Sequence, residues 1–473
     1  DNWRDFTWYA NADYNYRNLY FLQLSLAVEA NSRFGSNADG LKLARVPWGL
    51  FPSLQAGWAV TSEPWFPKHT GLNYLLLRAG YDLSGNDGIS NYAARTSFNF
   101  VKYLYLSNGI QLNNMGNDKI QWEQTGKFNV GFNSAWLNNR LTADFDFFMN
   151  HTSNLLTLKT IDNPVIGVDQ YWSNGGSLDN TGFEATITGK PVISKSLNIE
   201  LGASVGHYVN KVKSLPSGDY TSSIYGQDNI LTAVGQPVGV FYGYQTEGVF
   251  SDDASAGGQG RVDAANPEGY LFMEDAAGQR QYFKAGDIHF TDLNRDGKIN
   301  EQDRTIIGDP NPDIYGNIFA TINWKRLTLS AIFSYSLGND VYNYSRSVLE
   351  GGSNFYNQTV VMTNRWRADG QQTDVPRAYY GDPKGNARFS DRWIEDGSYL
   401  RLKTLNLTYR IPANLEWLQG LTIWAEANNL FTLTKYLGSD PESSVNNAVL
   451  RQGIDVGNVA QSRSFTLGLR INL

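Results

Sequence analysis

The feature that most constrains this chain is a period of two in its hydrophobic residues, repeated in stretches of about ten residues. In SFTLGLRINL, Phe465, Leu467, Leu469, Ile471 and Leu473 share one face, while Thr466, Gly468, Arg470 and Asn472 take the other. SLNIELGASVG sets Leu197, Ile199, Leu201, Ala203 and Val205 against Asn198, Glu200, Gly202, Ser204 and Gly206. KFNVGFNSAW places Phe128, Val130, Phe132 and Trp136 opposite Asn129, Gly131 and Asn133. RLTADFDFF and TWYANADYNYR repeat the pattern with Asp144 and Asp146, and with Asn11, Asp13 and Asn15, on the polar side.

Alternation alone also fits a half-buried soluble sheet. Two features choose otherwise. About ten residues is the length a tilted strand needs to cross hydrocarbon. The apolar faces also often end in Tyr, Trp or Phe, as at a lipid–water boundary. Carboxylates and amides on the opposite face would be costly in a sandwich core, yet they suit a watery lumen. The expected fold is all-β, a transmembrane antiparallel β-barrel, in preference to a soluble β-sandwich or propeller.

Composition removes other classes. The chain has no cysteine, so neither disulfides nor thiolate metal sites arise. A net charge of −7, with acids and bases interspersed, argues against nucleic acid as a partner. No apolar run reaches the length of a membrane helix.

Connections are expected to alternate between short and long. Tyr16–Tyr20, Trp136–Leu141, Gly189–Ser196, Asn323–Leu327 and Ile411–Gly420 read as short turns. Residues 30–41, 84–125, 152–179, 211–312, 338–396 and 432–461 read as long polar loops, the extracellular ones of an outer-membrane barrel. About thirteen strands follow, and complete single-chain bacterial barrels have even numbers. Residues 1–473 are therefore expected to be the C-terminal portion of a barrel. No secretory leader is read at Asp1, which suits a mature chain or a fragment.

DLNRDGKINEQD, residues 292–303, matches a calcium-binding loop lying inside the 211–312 connection. Asp292, Asn294 and Asp296 would supply side-chain oxygens, Lys298 its backbone carbonyl, and Asn300 a direct or water-mediated ligand. Gly297 permits the sharp turn. Asp303 closes the shell where sensor loops carry Glu. Hard oxygens without imidazole or thiolate favour a structural Ca2+. The competing reading is an Asx-rich turn that needs no metal.

Catalytic signatures are missing. His69, His151, His207 and His289 lie in separate segments without metal spacing, and no nucleophile elbow, P-loop or zinc motif occurs. Asp144 and Asp146 could suggest a glycosidase pair, but on a barrel wall they read as lumen lining. The expectation is no enzyme. Rings in YGYQTEGVF (Tyr242–Phe250), YSRSVLEGGSNFY and TNRWRADG could stack on sugars, or else pack the loops or a lid. Substrate-contacting residues stay unassigned.

Nine segments in one order carry a resemblance. They are SRFGSN with LFPSLQAGWAVTSEPWF, LLLRAGYDLSGNDGI, QWEQTGKFNVGF through LNNRLTADFDFF, NGGSLDNTGFEATI, GQPVGVFYGYQTEGVF, GDIHFTDLNRDGKINEQDRTIIGDPNPDIYGN, SYLRLKTLNLTYRIP, ANNLFTLTKYLGSDPE and FTLGLRINL. From about residue 6 onward the chain resembles the barrel of SusC-like TonB-dependent outer-membrane transporters of Bacteroidetes. The resemblance implies a 22-stranded barrel, an N-terminal plug, a TonB-contacting segment, and a SusD-like lipoprotein lid on the extracellular loops. It implies multi-pass residence in outer-membrane lipid and import of a nutrient, a glycan first and a peptide next. One departure is Leu473, where such strands often end in Phe. Two expectations of other classes stand beside import: a non-transporting barrel that scaffolds a surface complex, and a soluble calcium-binding adhesin.

Overall fold

The computed structural model describes residues 2–472 except 44–45, 68–70, 104–106, 162–167, 169, 225–226, 416–417 and 447. His69 and Leu473 thus lie outside the described residues. Thirteen long strands run in chain order: β1 Asp5–Tyr16, β2 Tyr20–Asn31, β3 Val46–Ala59, β4 Leu72–Asn86, β5 Glu123–Trp136, β6 Leu141–Ser153, β7 Ser177–Ile193, β8 Leu197–Ser214, β9 Ile314–Trp324, β10 Leu327–Leu337, β11 Tyr399–Leu415, β12 Leu418–Asn428 and β13 Ser464–Asn472. Each pairs antiparallel with the next, giving one continuous wall in sequence order.

The register turns the sequence's alternation into two faces. Across eight strands, Ala12, Leu24, Leu54, Tyr81, Phe128, Met149, Thr181 and Val209 stand side by side in one row. One residue along, Asn11, Ser25, Ser53, Asp82, Lys127, Asn150, Asn180 and Asn210 form the adjacent row on the other face. A slip of one residue at any pairing would interrupt both rows. The polar row bonds along itself: Ser25 Oγ donates to Asn11 at 2.8 Å and Asn210 Nδ2 to Asn180 at 2.6 Å. The apolar row is largely exposed, with Leu54, Tyr81, Phe128, Met149 and Val209 all open. An exposed apolar band of this extent is what lipid covers.

Arg78 on β4 and Asp146 on β6 meet at 2.9 Å across the intervening β5. Gly131 lies between them, and a Cβ there would overlap the Asp146 carboxylate and the Phe145 carbonyl. Asp144 instead accepts from Asn133. The two aspartates are thus tied to different wall partners.

Short and long links alternate strictly. The short ones span 17–19, 60–71, 137–140, 194–196 and 325–326, with the turn expected within Ile411–Gly420 centred outside the described residues; the long ones span 32–45, 87–122, 154–176, 215–313, 338–398 and 429–463. The link at 60–71, which opens with a 3-10 turn at Val60–Ser62, was not among the expected turns. Strands also run further than expected at Gly189–Ser196 and Ile411–Gly420, because β7 and β11 continue through Pro191 and Pro412. In the tight turns Asn18, Asn138 and Asn139 take positive φ (55°, 57° and 62°), a region asparagine tolerates better than most residues. Tyr16, Tyr20, Trp58, Trp136 and Trp324 lie beside these turns, an aromatic girdle at that rim.

β1 and β13 pair only with β2 and β12 among the described residues. The wall is open along both edges, and every residue of β1 is exposed.

A charge introduced on the apolar row should destabilise far more than one on the polar row. Leu54→Arg is expected to cost about 2–4 kcal/mol of unfolding free energy in lipid vesicles. Ser53→Arg, one residue away, should change it by under about 1 kcal/mol. Urea titration of the full-length receptor in vesicles gives both values, and equal losses would refute the assignment of faces.

Candidate functional site at the loop-bearing rim

The well-packed interior lies in the long connections. Trp393, Phe241, Phe283, Phe290, Ile230 and Ile454 are fully buried, and all six belong to links. A single-layer wall has no second layer to pack against, so close packing occurs where the loops fold on each other.

Residues 215–313 hold a four-stranded sheet of Tyr220–Ile224, Gln227–Thr232, Val240–Tyr244 and Arg304–Gly308. Two hairpin-like pairs accompany it, Thr246–Val249 with Ile288–Phe290 and Phe272–Glu274 with Arg280–Tyr282. Phe250, Leu271, Phe283, Ile288, Phe290 and Ile299 form one core within this link. A second core joins Ile230 and Phe241 to Tyr342, Phe389 and Trp393 of 338–398 and to Ile454 of 429–463. The 211–312 connection, read from the sequence as a long polar loop, is therefore more than that. The link has its own core, whose apolar residues sit singly among Gly and Asp turns and so show no period.

Charged groups fasten the links together. Asp287, wholly buried, accepts from Arg377 Nε and Nη2 at 2.8 Å each, from Lys384 Nζ at 2.9 Å and from Asn386 Nδ2 at 3.0 Å. Arg388 is enclosed by Tyr244, Phe283 and Phe290, with its guanidinium 5.0, 5.9 and 4.7 Å from their ring centres. It donates to the carbonyls of Gly385 and Lys384 at 2.9 and 2.8 Å. Burial pulls its pKa down, with the charges of Tyr244 and Asp382 opposing. Arg401, at the start of β11, meets Asp440 at 2.5 Å and Glu442 at 2.6 Å.

The six sequence-assigned metal residues fall in one turn of the 215–313 link. Asp292 accepts from Gly297 N at 2.7 Å and Asp296 N at 3.2 Å. Asn294 Oδ1 accepts from Asp296 N at 2.9 Å, and Asp296 Oδ1 from Lys298 N at 2.8 Å. Asn300 caps the 3-10 turn Glu301–Asp303, accepting from Gln302 N, while Asp303 accepts from Asn300 N at 2.8 Å and Leu293 N at 3.0 Å. Gly297 has φ 84°, and a Cβ there would stand 2.6 Å from Arg261 N. Ile299 anchors the turn in the core and donates to the Phe272 carbonyl at 2.8 Å.

Backbone amides thus orient the carboxylates, and each oxygen so bonded retains a further lone pair. Asp303 is buried, which raises its pKa; its bond from Asn300 opposes this and the charge of Asp292 adds to it. Among the described residues, no three His, Cys, Asp or Glu side chains stand together at metal-holding distance. A cation here would need the amide oxygens of Asn294 and Asn300 and the Lys298 carbonyl besides the carboxylates.

The histidines are dispersed. His151 meets Asp179 at 2.7 Å, His207 meets the Asp313 carbonyl at 2.6 Å, and His289 stacks on Phe250 at 4.5 Å. The aromatic segments divide between two roles. Phe241 and Phe250 are core, and Trp366 Nε1 donates to the Ser251 carbonyl at 2.8 Å, whereas Phe355 and Tyr356 are exposed.

The fold defines an outer-membrane β-barrel wall with a folded cap of loops at one rim. Similarity to known proteins agrees over nearly the whole chain. TonB-dependent receptor P3 of Formosa agariphila is 29% identical, covering 98% of this chain and 45% of the relative. TonB-dependent receptor SusC of Bacteroides thetaiotaomicron is 24% identical, covering 98% and 43%. No family model matches the chain. A solved structure of the RagAB peptide transporter superposes with a TM-score of 0.79 at 23% identity, covering 99% of this chain and 48% of that one, and so shares the fold. The chain is similar throughout to TonB-dependent receptors, SusC among them, and spans about half the length of the curated relatives it matches. These relatives are receptors and transporters by name.

Removing Asp287 would leave Arg377 and Lys384 without their shared buried acceptor. Asp287→Ala should destabilise the cap by about 3 kcal/mol. Limited proteolysis within 338–398 should then accelerate while the barrel stays intact. Unchanged cleavage would show that the pin does not hold the cap.

Proposed function

We propose that this chain forms the C-terminal wall and the extracellular cap of a TonB-dependent importer that carries an oligosaccharide across the outer membrane. The observation that supports this reading best is the polar row running unbroken over eight strands, beneath a folded cap at one rim. A hydrated inner face gives a polar solute somewhere to pass, and a cap with its own core gives it a surface to meet first. The open edges at β1 and β13 would be closed by further strands of a 22-stranded barrel, with a plug in the lumen coupled to TonB. A SusD-like lipoprotein would close over the cap. Peptide import is the alternative cargo.

The turn at 292–303 would hold Ca2+ through Asp292, Asn294, Asp296, Lys298, Asn300 and Asp303. Its role would be structural, adding a cross-link to the core around Ile299.

Growth and uptake test the cargo. A strain lacking the gene should lose uptake of one class of labelled oligosaccharide and recover it on complementation. Loss confined to labelled peptides would replace the glycan reading, and no loss of either would favour a scaffold.

Calorimetry tests the ion. Asp296→Ala should weaken calcium binding about tenfold or more. Calcium binding requires ionised carboxylates. Because Asp303 has a raised pKa, affinity should fall on acidification at a pH above the ordinary aspartate range. An affinity flat down to that range would remove Asp303 from the ligand set.

A further inference from the structure

The cap satisfies its buried guanidinium groups with one exception. Arg388 has carbonyl acceptors and Arg401 has carboxylates, but no nitrogen of the Arg392 guanidinium has an acceptor among the described residues. Its Nη1 is fully buried without a partner. The side chain lies over the Trp393 ring at 4.6 Å, next to Arg346, which lies over the same ring at 5.7 Å.

Burial, followed by the charge of Arg346, lowers the pKa of Arg392 to about 10, so it remains cationic at neutral pH. The charges of Glu350 and Asp374 oppose that shift without bonding to the guanidinium among the described residues, and a desolvated charge with no directly bonded acceptor is costly.

Both arginines line a cavity of about 330 Å³ with Thr246, Ile288, Val375, Asp374 and Asp391. This lies at the lower end of ligand-pocket sizes. The other polar groups are mostly engaged. Arg346 pairs with Glu350 at 2.8 Å and Glu395 at 2.9 Å, and Asp391 accepts from Thr246 N and Oγ1 at 3.1 and 2.7 Å. Asp374 is exposed and makes no hydrogen bond among the described residues. One guanidinium is thus left to recognise a ligand, and its planar fork matches a carboxylate.

We propose that this cavity is a subsite for a carboxylate of the incoming nutrient, received by Arg392 with Trp393 fixing the plane of the guanidinium. The proposal rests on the import reading and narrows its cargo to acidic molecules. The carboxylate could belong to a uronic acid or to a peptide terminus. Its single charge suits one unpaired guanidinium, and the nearby Asp374 would repel a more highly charged anion.

The test uses the full-length receptor, with any lipoprotein that co-purifies, in detergent. Calorimetry compares trigalacturonate with its trimethyl ester, and N-acetyl-trialanine with its C-terminal amide. At least one carboxylate ligand should bind about tenfold more tightly than its neutral counterpart. Arg392→Gln should abolish that difference and leave the neutral ligand's affinity unchanged; retained heat-modifiable migration on gels shows that the variant folds. Asp374→Asn should tighten carboxylate binding. Weakened binding would show that the site needs the Asp374 carboxylate instead of being opposed by it, and would overturn the subsite.

Equal binding of charged and neutral forms to wild type, or binding of none of the four, also overturns it. That includes the case in which a carboxylate of the protein's own remaining length fills the cavity. A glycan that binds equally well as acid and as ester, in wild type and in Arg392→Gln alike, would sink the subsite and leave glycan import standing. Preference for the peptide acid would keep the subsite and sink the glycan reading.

Discussion

A backbone amide in hydrocarbon has no water to bond, and the rest of this structure follows from that constraint. Thirteen strands pair neighbour to neighbour in chain order, so each interior strand satisfies its amides on both sides. Because the wall is one layer thick, its side chains meet two different solvents. Rows of leucine, phenylalanine and valine therefore alternate with rows of serine, asparagine and aspartate along the same strands. The wall's own polar contacts, such as the Arg78–Asp146 pair over Gly131, are local adjustments to the wet face.

The loop cap obeys ordinary globular physics. It buries aromatic rings, encloses Arg388 among them, and converges three cationic or amide side chains on Asp287. Residues 215–313 and 338–398 are separated by β9 and β10, and they share a core besides the one inside 215–313. Joining them through one apolar core and one buried carboxylate makes the cap a single body. A binding surface can then be held to fixed geometry although it is built from links. Against that background the unpaired Arg392 is conspicuous, since the same cap supplies acceptors to its other buried arginines.

The wall was legible in the sequence because strand periodicity is local. Leu197 through Val205, or Phe465 through Ile471, reveal their face without reference to any other segment. The alternation of short and long links was legible for a similar reason: Asn-rich turns and long polar stretches announce themselves. At Gly189–Ser196 and Ile411–Gly420 the turns are shorter than their sequence suggests, because the paired strands carry on through Pro191 and Pro412. The metal-type turn was equally local, and its backbone is organised by its own Asp and Asn side chains.

By itself the sequence determined a two-faced membrane wall, its strand number and the character of its turns, since each depends on neighbours within about ten residues. Only the tertiary structure decided which rows meet across strands, that the long links share cores, that Asp287 gathers Arg377 and Lys384, and that Arg392 goes without an acceptor among the described residues. Those facts depend on residues as distant in sequence as Ile230 and Ile454. Their apolar members occur singly between turns, and no local period records which distant partner each one meets.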